Sequence, residues 1–198
     1  MRPDSKARAD YVEAFRQVVS RIEAALSQAP ESTLPIRMYV AGGAALHFYT
    51  GERVSRDVDA VFSRRIALPD DLDIAYRDAD GAARLLYFDR QYSDSLSLMH
   101  EDAHDDSIQL QLEGIDAGVL DVRLLAPLDL AVSKISRFAE RDRNDIAGLA
   151  RHRHIGSAGL RQRAHEALAG YVGSIDRVRG SIESACRIVQ DIETRRGK

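Results

Sequence analysis

The sequence predicts an α/β (α+β) fold in which a mixed β-sheet is flanked by helices and followed by a helical C-terminal extension. Three patterns carry this: a helical repeat of apolar residues over 8–28, a middle stretch of short apolar runs separated by turn residues, and a return to helical spacing from residue 126 onward. At 198 residues and 44% hydrophobic content the chain can bury one core with an appendage, but is short for two full domains. We expect a first domain over residues 1–150, including the N-terminal helix, and a helical extension over 151–198.

The first helix follows from Val12, Phe15, Val19, Ile22 and Leu26 at steps of three and four, ended by "SQAPESTLP". "IRMYVAG" reads as a strand, "GAALHFYTG" as two turns of helix closed by Gly51, and "DVDAVFS" as a second strand. A short, ambiguous helix is expected after the corner at residues 69–71. "ARLLYFDR", "SLSLM", "SIQLQLEGI" and "VLDVRLL" then read as strands. Residues 126–152 read as one helix, with Pro127 in its first turn. Tyr171, Ile175, Val178, Ile182, Ala185, Val189 and Ile192 form a helical seam with a break near Gly173. That seam would lie on the N-terminal helix or make a homodimer contact.

Charge is distributed unevenly along the chain. Residues 67–121 hold fourteen Asp or Glu against three Arg, whereas residues 134–163 hold eight Lys or Arg against three acids. A basic stretch suits an anionic partner such as a nucleotide or RNA, although a solvated helix face gives the same pattern. The lone Cys186 cannot form an intrachain disulfide and fits a helix interior. No run approaches the roughly 20 apolar residues of a membrane helix, and "MRPDSKARAD" lacks a signal-peptide core. A cytoplasmic protein without a membrane partner is expected.

The stretch "YVAGGAALHFYTGERVSRDVDAVF" carries the chemistry. Residues two apart on a strand share a face, so Asp57 and Asp59 would present two carboxylates side by side. Such a pair suits a hard divalent cation, Mg²⁺ or Mn²⁺, held with water and substrate phosphates. Gly42 and Gly43 let backbone approach a polyphosphate at the N-terminus of the following helix.

These residues resemble the signature of the polymerase β-like nucleotidyltransferases, in particular the branch of AbiEii-type toxins. Gly42, Gly43, Arg53, Ser55, Asp57 and Asp59 fill its first block. Lys134, Arg141 and Asp145, in "DLAVSKISRFAERDRNDIAGL", fill its second, and the likeness spans residues 36–149. The resemblance implies a nucleotidyltransferase-like sheet and transfer of a nucleoside monophosphate from an NTP. It assigns the metal ions to Asp57 and Asp59, and the phosphates to Gly42, Gly43 and Ser55, with Lys134 and Arg53 or Arg141 offsetting their charge. Spacing alone also puts Lys134, Arg137 or Phe138, Arg141 and Asp145 near one helical face, and Arg141 and Asp145 fit an ordinary i, i+4 pair. The branch further implies an RNA end, tRNA favoured, or a protein hydroxyl as acceptor, and a cognate toxin or antitoxin partner.

Catalytic members of that family have a third acid on a neighbouring strand. Asp106, Glu113 and Asp121 are the candidates, with Asp121 preferred for its strand context. Without a third acid, the chain would be a non-catalytic binding or antitoxin module of the same fold. "HEDAH", His100 to His104, matches the His-Glu-x-x-His pattern of zinc peptidases, but its surroundings lack the long helix that pattern needs.

Overall fold

The computed structural model describes residues 1–4 and 6–197. Its contacts form two compact units, one of residues 1–92 and 107–124, the other of residues 93–106 and 125–198. The expected extension from residue 151 lies wholly within the second.

The first unit is α/β. Helix α1 (Ala9–Ala25) buries Tyr11, Ala14, Phe15, Val18, Val19 and Ile22, so its inner face is centred one position away from Val12, which is only half-buried. Strand β1 (Ile36–Val40) runs antiparallel to β3 (Ala60–Phe62) and parallel to β7 (Leu120–Leu124), which pairs with β6 (Ile108–Gln109). Being flanked on both sides, β1 is buried at every position except Arg37. A second sheet places β5 (Ala83–Phe88) between β2 (Asp57–Val58) and β4 (Asp73–Arg77), and α1 packs on β4 and β5. The expected single sheet is thus two, with the "DVDAVF" strand passing from one to the other at Asp59. The segment expected as a short helix is β4; Ile74 is buried between exposed Asp73 and Ala75, a two-residue period.

Helix α2 (Gly42–Thr50) follows β1 directly and closes on Gly51, whose φ of 66° and N–H to the His47 carbonyl form a left-handed cap. Its apolar core members are Ala44, Ala45, Leu46, Phe48 and Tyr49.

The second unit is helical. The expected single helix over 126–152 is two, α3 (Pro127–Ser133) and α4 (Glu140–Arg151), because the chain turns through Phe138 at a φ of 50°. The buried Asp142 fixes this turn. Its carboxylate accepts the Ala139 N–H at 2.9 Å and the Arg137 Nε and Nη2 N–H groups at 2.7 and 2.6 Å. Burial pushes the Asp142 pKa up, but Arg137 and the Ala139 N–H outweigh it and hold the carboxyl below its ordinary value. Helices α5 (Ser157–Glu166) and α6 (Ile175–Arg196) complete the unit.

The C-terminal seam forms as expected, but its occupant is different. Val178, Ile182, Ala185, Cys186 and Val189 are buried, and α6 packs on α4 and α5. Within the second unit the chain covers those buried side chains itself. Cys186 is part of this core, and burial pushes its thiol pKa up. "SLSLM" forms turns instead of a strand, leaving Leu96 exposed and Leu98 buried. No helix among the described residues is long and apolar enough to cross a membrane.

Candidate nucleotide site

The two glycines and the Arg-x-Ser-x-Asp-x-Asp run interlock. Gly42 has a φ of +59°, a conformation that costs an L side chain about 1–2 kcal/mol. A β-carbon there would stand 1.8 Å from Asp59 Oδ2, so the Asp59 carboxylate occupies the space the glycine leaves open. A β-carbon on Gly43 would lie 2.6 Å from Ser55 Oγ and 2.9 Å from Arg53 Nη2. The Ser55 hydroxyl in turn donates to Asp57 Oδ1. Backbone pairing fixes the strand beneath: Ala41 N–H bonds the Asp59 carbonyl at 2.8 Å, and Val40 sits opposite Ala60. Burial alternates from Asp57 to Ala60: Val58 and Ala60 are buried, Asp57 and Asp59 half-exposed. The N–H groups of Gly42, Gly43 and Ala44 precede the first intrahelical bond of α2, from Ala45 to Ala41, and so lack an intrahelical acceptor.

A buried histidine holds the loop that carries Arg53 and Ser55. His47 Nε2 accepts the Arg8 N–H at 2.9 Å, which leaves Nδ1 to donate to the Arg53 carbonyl, also at 2.9 Å. Burial, the main cause, keeps the His47 pKa below 6.5, matching the neutral ring these two bonds require.

Two residues beside the site escape sequence reasoning. The first is Tyr11, fully buried, packed edge-on to His47 at 4.8 Å, with a hydroxyl that has no hydrogen-bond partner among the described residues. Burial raises its pKa most; Tyr76 and the negative charges of Asp57 and Asp59 add to the rise, and Arg53 opposes it. Its signal in the sequence was the same helical stripe, read one position off.

The second is Asp89. Strand β5 runs parallel to β2 with Asp57 opposite Tyr87 and Val58 opposite Phe88, and the Asp89 N–H bonds the Val58 carbonyl at 3.1 Å. Continuing that register sets Asp89 beside Asp59 on the adjacent strand, at the roughly 4.8 Å spacing of neighbouring strands. Its Oδ1 accepts the Gln91 N–H at 2.9 Å. "FDR" could have flagged it, but the pairing of β5 with the Asp-x-Asp strand is not readable from one sequence.

The preferred third acid is corrected by the same reasoning. Asp121 pairs with Arg37 on β1, four residues from Ala41, and β7 lies two strands from β3. Strand rise and spacing then separate its backbone from that of Asp59 by roughly 16 Å. The Asp121 carboxylate bonds Gln109 Nε2 at 2.9 Å and Arg123 at 3.2 Å, a structural role. Glu113 is exposed in the loop after β6, and Asp106, in the second unit, pairs with Arg163 at 2.6 Å.

The second block lies in the second unit. Lys134 caps α3, and its buried ammonium donates to Asp145 Oδ2 of α4 at 2.8 Å. Arg141 is exposed on α4. The break at Phe138 removes the shared helical face expected of Lys134, Arg141 and Asp145.

The basic stretch is largely committed within the chain. Arg161 pairs with Glu183, and Arg163 bonds Asp129 at 2.8 Å as well as Asp106. "HEDAH" is a turn in which His104 pairs with Asp94 at 3.0 Å and His100 lies 3.6 Å from Glu166. Both the helix and the ligand set of a zinc peptidase are missing, since no three His, Cys, Asp or Glu side chains among the described residues converge on a metal position.

Residues 13–180 match the family described as "Nucleotidyltransferase of unknown function (DUF6036)". No curated protein and no solved structure matches the chain. The match takes in the glycine corner, the Asp-x-Asp strand, β5 and α4, and on that extent the chain belongs to this nucleotidyltransferase family.

Proposed function

We propose that the chain transfers a nucleoside monophosphate from an NTP to an RNA end, tRNA favoured, with a divalent cation held by Asp57 and Asp59. The observation that carries this is the fit of Gly42 to the Asp59 carboxylate and of Gly43 to Ser55 and Arg53. It sets two carboxylates, a hydroxyl, a guanidinium and helix N–H groups without an intrahelical acceptor around one backbone corner.

The donor set fits Mg²⁺ or Mn²⁺: two half-exposed carboxylates supply hard oxygens, and Ser55 engages only one oxygen of Asp57. A cation bound there would offset phosphate charge and favour ionisation of an attacking hydroxyl. The chain's own residues do the rest. The Gly42 and Gly43 N–H groups receive phosphate oxygens, as helix N-termini do. Arg53, tied down through His47, adds positive charge beside them. The acceptor hydroxyl forms a bond to the α-phosphorus, the bond to the bridging oxygen breaks, and pyrophosphate leaves. Asp89 takes the hydroxyl proton, which requires its carboxylate to turn away from Gln91. Lys134 has no part in this account because Asp145 holds its ammonium. The toxin role rests on the likeness to AbiEii-type toxins alone, and its check is growth arrest on expression.

The test is an incubation of protein with α-labelled NTPs, Mg²⁺ and total RNA. Label on RNA from wild type, and a loss of at least about a hundredfold in Asp57→Asn, support the proposal; the magnitude follows from several kcal/mol of lost charge stabilisation. Label on no acceptor, RNA or protein, favours a non-catalytic module.

A further inference from the structure

The first unit holds a pocket of about 500 Å³ that begins at Ser55 and is lined by Arg8, Arg56, Arg84, Tyr76 and Tyr87. It lies along β5 where β2 falls short, since β2 pairs only with Tyr87 and Phe88 and leaves residues 83–86 without a neighbour on that side. No carboxylate lines it. Arg84 is partly neutralised by Asp78 at 2.7 Å, whereas the side chains of Arg8 and Arg56, both exposed, make no hydrogen bond or ion pair among the described residues. Tyr87 and Leu85 remain exposed, at 38% and 49%.

We infer that this pocket is the acceptor subsite and takes the terminal nucleotides of a single-stranded RNA. The inference rests on the transferase reading above and deepens it. Guanidinium groups with open aromatic faces are the two components of single-strand binding: arginines follow the phosphates and tyrosine rings stack on bases without regard to sequence. The NTP does not explain the arginines, because its charge lies at the Gly42–Gly43 corner and its base is neutral. The shared wall decides the role. Ser55 lines the pocket and donates to Asp57, and Tyr87 stands opposite Asp57 in the β2–β5 register. A strand end in the pocket therefore brings its terminal hydroxyl to the carboxylates. It also moves RNA recognition away from residues 151–163, where Arg161 and Arg163 are paired.

The test is fluorescence anisotropy with a labelled single-stranded RNA oligonucleotide, NTP omitted, on wild type, Arg56→Glu, Tyr87→Ala and Asp57→Asn/Asp59→Asn. Wild type should bind, and the logarithm of its affinity should fall against log salt with a slope of about −2, as for three phosphate contacts. Tyr87→Ala should weaken binding about tenfold, within the range for loss of one stacked base. Arg56→Glu should weaken it at least as much. The double aspartate variant should bind as well as wild type while losing transfer, which separates this inference from the transferase reading. Thermal melts monitor folding, and Arg8→Glu, at an exposed site, replaces Tyr87→Ala if that variant unfolds. RNA binding unchanged in Arg56→Glu and Tyr87→Ala overturns the inference. So does absence of RNA binding alongside label transfer to a protein, an outcome that leaves the transferase reading standing.

Discussion

Replacing Gly42 by alanine tests the interlock at its tightest point. The residue sits at a φ of +59°, and the new methyl would meet Asp59 Oδ2 at 1.8 Å and Asp59 Cβ at 3.0 Å. The backbone conformation alone costs about 1–2 kcal/mol for a residue with a side chain. Asp59 must also leave its position, and a side chain forced off its rotamer adds about 0.5–1.5 kcal/mol. The sum of roughly 2–3 kcal/mol corresponds to a fall in Tm of about 5–10 °C for a chain of this length. Activity should fall more than stability, because the carboxylate displaced is the one proposed to hold the cation. The assay is a calorimetric melt together with label transfer, on Gly42→Ala, Asp59→Ala and the double variant. The two changes should not add: once Asp59 is truncated, the methyl meets less, and a coupling of about 1 kcal/mol is expected from two side chains in contact. A melt and an activity both unchanged in Gly42→Ala, or strictly additive destabilisation, would refute the reasoning.

Three further outcomes follow from the same geometry. Lys134→Met takes the ammonium away from the buried Asp145 carboxylate and should cost about 3–5 kcal/mol, whereas Lys134→Met/Asp145→Leu should recover most of it in a denaturant melt. Gly43→Ala presses on Ser55 and Arg53 without needing a positive φ, so transfer should drop with less loss of Tm than in Gly42→Ala. The third concerns pH: His47 is buried neutral with its pKa below 6.5, so the unfolded chain takes up a proton first as the pH falls. Its contribution to stability is therefore whole above pH 6.5 and is lost as the pH falls through the lower folded-state value; the stability difference between wild type and His47→Gln should shrink over that window.

Local signals were legible and pairings were not. The Gly-Gly corner, the short helix closed by Gly51 and the alternating "DVDAVF" were readable because each is a rule about adjacent residues, and the structure places them in contact. Asp121 misled because a strand acid among apolar neighbours looks the same at either end of a sheet; only its pairing with Arg37 shows that it stands at the wrong end. Asp89 was overlooked for the converse reason, being ordinary in sequence and distinguished only by the parallel alignment of β5 with β2. Spacing alone gives one continuous helix over 126–152, because the apolar positions run on through Phe138. The interruption comes instead from Asp142 drawing in Arg137 and the Ala139 N–H. Positive charge in residues 151–163 was visible, but not the acids on α3, α6 and the 93–106 segment that hold Arg161 and Arg163.

The central claim is that the glycine corner and the two aspartates together hold a metal-bound triphosphate. Calorimetric titration with a non-hydrolysable NTP analogue tests it most directly, with and without Mg²⁺, on wild type and on Asp57→Asn/Asp59→Asn. Saturable binding that needs Mg²⁺ and vanishes in the double variant is the predicted result. Binding that persists without the metal or without both carboxylates, or no binding by a folded wild type, would contradict it.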